Sequence, residues 1–302
     1  MDDATLAGLR IAASAVFDIG FATMIGALAT LALLQDTASD WAARGARRSR
    51  TLFARASLVA LAAGLAWMAV QAISMSDLGL GELGLATVSQ SVADVVAHTA
   101  FGHAWAVVSA ALAACIAMAA ATRYRPVPLR AQGVAIAVAA FAHASMGHAG
   151  ANGLVWLVPA LAVHLLATGL WAGSVFAVAL GVLRGDPQAI DGARYARRLS
   201  ALATAALAGV VATGVASAWH ALGGSIAPLA PATASPWSVA LDVKLCLVAT
   251  AVTLGGFNRF VLMPALPASW PRFVRVLRLE AVVLAAALVA AAMLANGEPP
   301  VV

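Results

Sequence analysis

Thr5-Leu-Ala-Gly-Leu-Arg10-Ile-Ala-Ala-Ser-Ala-Val-Phe-Asp18-Ile-Gly-Phe-Ala-Thr-Met-Ile-Gly-Ala-Leu-Ala-Thr-Leu-Ala-Leu-Leu34 carries only two charged residues, and Arg44, Arg47, Arg48, Arg50 and Arg55 follow it. About 20 helical residues cross the hydrocarbon core of a bilayer, so this stretch reads as a membrane span with a basic flank. The same alternation recurs along the chain. Eight spans are expected, near Thr5–Leu34, Leu52–Ser76, Val95–Ala121, Leu129–His148, Leu154–Leu183, Leu199–Leu222, Trp237–Val261 and Phe273–Ala295. With 63% hydrophobic and 10% charged residues, the chain is expected to be an all-α integral membrane protein, an eight-transmembrane-helix bundle in one membrane domain, 1–302.

Charge sets the orientation. Arg123, Arg125 and Arg130 follow the third span, Arg184, Arg194, Arg197 and Arg198 the fifth, and Arg259, Arg272, Arg275 and Arg278 the seventh. Together with the first cluster these are 16 of the 18 Lys and Arg residues, all in alternate loops. Positive-inside logic puts those loops in the cytoplasm and both termini outside. The net charge of +5 is thus a topology signal and no argument for nucleic-acid binding. The first span does not resemble a cleaved signal, because Asp2 and Asp3 replace the usual basic start and the apolar run is too long, so it is expected to stay attached. Trp156, Trp219 and Trp237 at outer span ends, and Trp41 and Trp270 in inner loops, read as interfacial anchors. The loop around Gly223–Pro236 reads as an irregular outer connector. Arg55-Ala-Ser57 and Arg198-Leu-Ser200 open the second and sixth spans alike, a short echo that points to a tandem four-plus-four repeat with units 1–150 and 151–302. Cys115 and Cys246 lie alone in apolar segments and read as buried, inert thiols.

In this orientation all six histidines fall in outer halves or outer ends of spans, and Met146 sits among them in His143-Ala-Ser-Met146-Gly-His148. Imidazole and thioether donors gathered on one side of a bilayer suit a soft or borderline metal ion. The expected ligands are His98, His103, His143, Met146, His148, His164 and His220. On a regular helix, residues five apart point about 140° away from each other, so His98 with His103, or His143 with His148, would not share one ion. Met146 shares a face with His143, and Gly147 and Gly150 could let His148 swing back. His164 lies deepest and is the expected next stop for an ion. Met68, Gln71 and Met75 form a stripe on the second span, for which ordinary core packing is the plainer reading.

Charge at depth is a second signal. Asp18 and Lys244 lie well inside spans, where a charge costs roughly 2.5–3.5 kcal/mol on insertion scales. An interhelical Asp18–Lys244 pair and a role in gating or charge balance are equal alternatives. Glu280 is expected to pair with an arginine such as Arg198. No hydrolytic constellation, nucleotide-binding turn or Walker sequence stands out, so the chain is not expected to be an enzyme or to bind ATP.

His164-Leu-Leu-Ala-Thr-Gly-Leu-Trp171-Ala-Gly173 resembles a marker of the copper resistance protein D family of bacterial inner-membrane proteins, a His, then Trp six residues on, then Gly. Arg198-x-Ser200, Thr213-Gly214, Lys244-Leu245, Asn258-Arg259 with Pro264, and Glu280 after an arginine pair are further matches, and the Ser-Met-Gly-His148-Ala segment resembles the family's SGHA-like element. Ser174 stands where the family often has a second Gly, a change that bears on close packing beside Trp171. The resemblance implies a multi-pass inner-membrane protein that passes copper, as Cu(I) or Cu(II), from periplasm to cytoplasm, commonly with a small periplasmic copper-binding partner of the copper resistance protein C type. The alternative is a b-type haem electron carrier, with histidines of facing helices ligating the iron.

Overall fold

A computed structural model describes residues 3–76, 84–122, 124–146, 156–185, 189–221 and 235–297. His148 and most of the loop 223–236 lie outside these residues. Within them the chain is all helical. Seven helices are long and apolar enough to cross a membrane by length and composition, consistent with a multi-pass membrane protein.

Helix α1 spans Asp3–Leu34 and α2 spans Asp40–Ser74. The Ser39 hydroxyl caps α2 by accepting from the Ala42 amide at 3.3 Å. Thus Arg44, Arg47, Arg48 and Arg50, expected in a loop, lie on a helix that projects well past the apolar span. The same correction holds for Arg194, Arg197 and Arg198, which lie on α8 (defined below). Arginine is a good helix former, and solvation of its head group sets no limit on helix length.

The expected third span, Val95–Ala121, is two helices instead, α3 (Leu85–His98) and α4 (Ala100–Ala121). Thr99 makes the break: its extended backbone leaves the helix, and its hydroxyl accepts from the Gly102 amide at 2.9 Å and donates to the Val95 carbonyl at 2.7 Å. Gly102 permits the fold-back, since a Cβ there would overlap the Val95 carbonyl. His98 and His103 are therefore on different helices, which removes the premise of a shared regular helix.

Helix α5 covers Leu129–Ser145, 17 residues, and its described length falls short of the seven. Helix α6 (Leu157–Thr168) runs through a π-helical turn at Gly169–Gly173 into α7 (Ser174–Ala179). Gly181, at φ +83°, turns the chain after α7. Then come α8 (Ala189–Ala221), α9 (Pro236–Phe257) with a second π turn at Asn258–Leu262, and α10 (Trp270–Asn296).

Helix α1 is the hub and packs on α2, α5, the α6–α7 segment, α8 and α10. Buried positions make up 61% of the most apolar window of both α1 and Leu157–Ala179, against 11% in Ile190–His220, so these two are central and α8 is peripheral. Their crossing is close enough for backbone contact. A Cβ on Gly26 would overlap the Gly173 carbonyl, one on Gly173 would overlap the Ala22 carbonyl, and one on Gly169 would overlap Ile25. Ser174 is fully buried at this crossing, and Gly26 on the opposite helix provides the room a second glycine would have given.

Two large apolar clusters, and a small one of Met68, Ala72 and Val95, fill the interior. Of the large ones, the first draws on residues between Phe17 and Ala142; the second draws mainly on residues between Trp171 and Leu288, with Ala22, Leu34, Trp41 and Ala42 added. Trp41 and Trp270 belong to the second cluster and are not interfacial anchors: both are buried, with ring centroids 5.9 Å apart, and Trp41 also meets Tyr195 edge-on at 6.1 Å. Trp156 and Trp219 are exposed, as anchors should be. Cys115 is buried, whereas Cys246 is exposed and corrects the expectation of two buried thiols.

Candidate metal-handling cavity

A cavity of about 650 Å³ opens between α1, α2, α5, α6, α9 and α10. Asp18, Gln71, His143, Met146, His164 and Lys244 all line it. Three of the expected ligands thus reach one space from two helices that pack side by side, α5 and α6.

His143 lies near the C-terminal end of α5 with its Nε2 3.7 Å from Asp18 Oδ1, too long for a strong hydrogen bond. Its Nδ1 is buried without a partner among the described residues. Phe17 and Trp67 hold the ring at centroid distances of 5.0 and 5.8 Å. The imidazole is therefore fixed in place with its hydrogen-bonding capacity largely unused. Met146 follows one turn later and brings its thioether to the same cavity.

His164 is oriented differently. Its Nδ1 is 2.9 Å from Thr213 Oγ1, and that hydroxyl donates to the Gly209 carbonyl at 2.6 Å. With its proton committed, Thr213 can only accept, so Nδ1 donates and the neutral ring keeps its lone pair on Nε2. Such outer-shell support is how a ligating histidine is held in one tautomer. Gly214 leaves room for the ring, since a Cβ there would lie 3.3 Å from His164 Cε1. The Thr213-Gly214 pair has a local purpose: it seats His164.

Lys244 lines the same cavity as Asp18 and His164. Of the two alternatives for Asp18 and Lys244, the contact pair does not form: Asp18 makes its close contact with His143. Arg10 donates to the Asn296 carbonyl at 3.1 Å, and both residues line one end of the cavity. Trp171 lines the cavity as well, and its Nε1 donates to Glu280 Oε1 at 3.2 Å. Glu280 therefore does not pair with Arg198, whose guanidinium takes Asp36 at 3.1 Å and the Leu33 carbonyl at 3.2 Å.

Other expected ligands stay outside. His98 is exposed with Nδ1 donating to the Asp94 carbonyl at 3.0 Å, and His103 is exposed with Nε2 donating to the Ala97 carbonyl at 3.3 Å. His220 is exposed, edge-on to Trp156 at 5.9 Å. None of the three lines the cavity. Met68 is fully buried against Ala72 and Val95, as core packing requires, while its neighbour on the stripe, Gln71, faces the cavity. Among the described residues no three His, Cys, Asp or Glu side chains cluster tightly enough to hold a metal ion. Sequence reasoning missed the Asp18–His143 contact and the support from Thr213, since both cross between helices far apart in sequence.

A family model described as Copper resistance protein D-like, N-terminal domain, matches residues 1–158, and one described as Copper resistance protein D matches residues 193–294. No curated protein matches the chain. No solved structure matches it either.

Proposed function

The chain belongs to the copper resistance protein D family, which implies a role in copper resistance and transport, and on that premise we propose that it carries copper from periplasm to cytoplasm through the cavity between α5, α6 and α9. The observation that supports this most is the convergence of His143, Met146 and His164, with the lone pair on His164 Nε2 left available by Thr213. Two imidazoles and a thioether form a low-coordinate set that suits Cu(I), weak enough in number of donors to release the ion again. Asp18 beside His143 offsets the charge of an arriving cation, and Lys244 opposes its accumulation, which favours passage over storage. His98, His103, His148 and His220 serve as an outer collection zone that delivers to the cavity. A small copper-binding protein of the copper resistance protein C type is the donor on the periplasmic side. The chain itself performs no catalysis in this reading.

The same reading places the protein in the inner membrane of a bacterium with both termini periplasmic, α5 belonging to an eighth span, and the two halves arranged as a four-plus-four tandem. One large apolar cluster lies within residues 17–142 and the other draws mainly on residues 171–288, which supports the tandem arrangement. Single cysteines introduced at Ser39 and Ser89 should label from opposite sides of the membrane, with Ser89 accessible in intact cells. Labelling of both from one side would refute the orientation.

Thr213→Val gives a graded test of the site. It preserves shape, removes the acceptor for Nδ1, and lets the proton move to Nε2. Copper affinity should fall by about 10- to 100-fold, the usual effect of losing an outer-shell partner, with expression in the membrane unchanged. An unaltered affinity would remove His164 from the path.

A further inference from the structure

Below Trp171 lies a second cavity, of about 370 Å³, also lined by Trp171. Glu280 and Asn258 line it and are 2% and 4% exposed. Glu280 Oε1 accepts from Trp171, but Oε2 has no partner, and neither the oxygen nor the nitrogen of the Asn258 amide has one among the described residues. A Cβ on Gly255 would lie 3.3 Å from Glu280 Oε1, so the carboxyl rests against α9 one turn before Asn258.

Among the described residues Arg259 is the other charged group lining this cavity; its Nη1 donates to Thr204 Oγ1 at 2.8 Å and Ser200 Oγ at 3.1 Å on the same cavity wall, and it makes no ion pair with Glu280. The facing residues of α8, Ser200 and Thr204, are neutral, and on the central helices Trp171 offers only an N–H. Asp18, His164 and Lys244 line the upper cavity and not this one. A buried carboxyl with one neutral hydrogen bond and no cation in ion-pair range is costly unless something positive occupies its free side. The free donors are oxygens, which select a hard ion over copper.

We propose that Glu280 and Asn258 form a binding site for a small hard cation, a proton or a sodium ion, separated from the copper cavity by Trp171. Because Trp171 walls both spaces and bonds directly to Glu280, occupancy of the lower site acts on the floor of the upper one. This makes the bound cation the driving ion for copper movement, a role that rests on the transport reading above, whereas the site itself does not.

Difference infrared spectra of the purified full chain test the site without transport, recorded between neutral and acidic pH and, separately, between choline chloride and sodium chloride. One titration should show a carboxyl band change that disappears in Glu280→Gln, persists in Asp18→Asn, and shifts in Trp171→Phe, where the hydrogen bond to Oε1 is lost. A response to acid alone identifies a proton, and a response to sodium identifies sodium. Should Glu280→Gln fail to fold, the shift in Trp171→Phe still reports on the same carboxyl. Spectra of Glu280→Gln identical to wild type in both titrations, or of Trp171→Phe where Glu280→Gln does not fold, would overturn the site. In liposomes loaded for copper uptake, an imposed gradient of the same ion should raise wild-type flux several-fold, and the ratio with and without gradient should fall to one in Glu280→Gln. A ratio unchanged by that substitution would overturn the driving role. Absence of copper flux under every condition would instead defeat the transport reading, with the infrared result still deciding the site.

Discussion

Gly173→Leu is expected to leave little folded protein in the membrane. At this position α1 and the π turn after α6 meet backbone to backbone, and even a single Cβ would overlap the Ala22 carbonyl and press on the Gly26 amide. Both partners are main-chain atoms of the two most buried segments, so neither can move aside as a flexible side chain would. Overpacking a well-filled interior costs about 1–3 kcal/mol for a few added methylene groups, and a leucine forced between two backbones exceeds that range. Gly173→Ala should already lower the melting temperature of detergent-solubilised protein. Gly133→Ala supplies the contrast: nothing lies within 4 Å of a Cβ there, and alanine favours a helix by about 1 kcal/mol over glycine, so stability should hold or rise. Equal behaviour of Gly173→Leu and Gly133→Ala in size-exclusion profiles would mean that the central crossing is not as close as described.

The second large effect concerns copper. The double substitution His143→Ala with Met146→Leu removes two of the three donors that line the cavity while leaving α5 packed through Ile136, Ala139 and Ala140. Cu(I) affinity should drop by at least about a hundredfold, more than the loss of an outer-shell partner such as Thr213. His98→Ala with His103→Ala should reduce the rate of copper capture at low supply and leave the affinity of the purified protein nearly unchanged, because both rings are exposed and already bonded to backbone carbonyls. A competition titration against a Cu(I) chelator separates the two pairs, and the account fails if the exposed pair proves the stronger determinant.

Much of the fold was legible because a bilayer leaves so few solutions. Apolar runs of sufficient length must be helices, and seven of the eight expected spans contain a long apolar helix among the described residues, the third only from Ala100 on. Helix ends were less legible. Ser39 starts α2 well before the apolar stretch begins, and arginines that mark a boundary in hydropathy sit inside a continuous helix. The break at Thr99 was missed for a related reason: a threonine between apolar neighbours reads as one more span residue, although its hydroxyl bonds both flanking helices.

At the site, residue type was readable and partnership was not. His143, Met146 and His164 stood out by chemistry and depth, and Asp18 and Lys244 by charge. Which of them meet depends on how α1, α5, α6 and α9 rotate against each other, and no spacing along the chain encodes that rotation. Glu280 illustrates the limit. An arginine was the expected partner on charge alone, yet Arg198 finds Asp36 and the carboxyl takes the indole N–H of Trp171. The tryptophans at 41 and 270 were misplaced in the same way, since an aromatic residue near a helix start can equally turn inward to fill the core.

X-ray absorption of Cu(I) bound to the purified wild-type protein and to Met146→Leu reads the ligands of the copper directly. The wild-type spectrum should show a low-coordinate site with nitrogen ligation from imidazole and one sulfur scatterer, and the sulfur contribution should disappear in Met146→Leu while imidazole scattering remains. A spectrum without sulfur, a sulfur shell unaffected by the substitution, or a protein that carries a full haem absorbance and binds no copper would contradict this ligation.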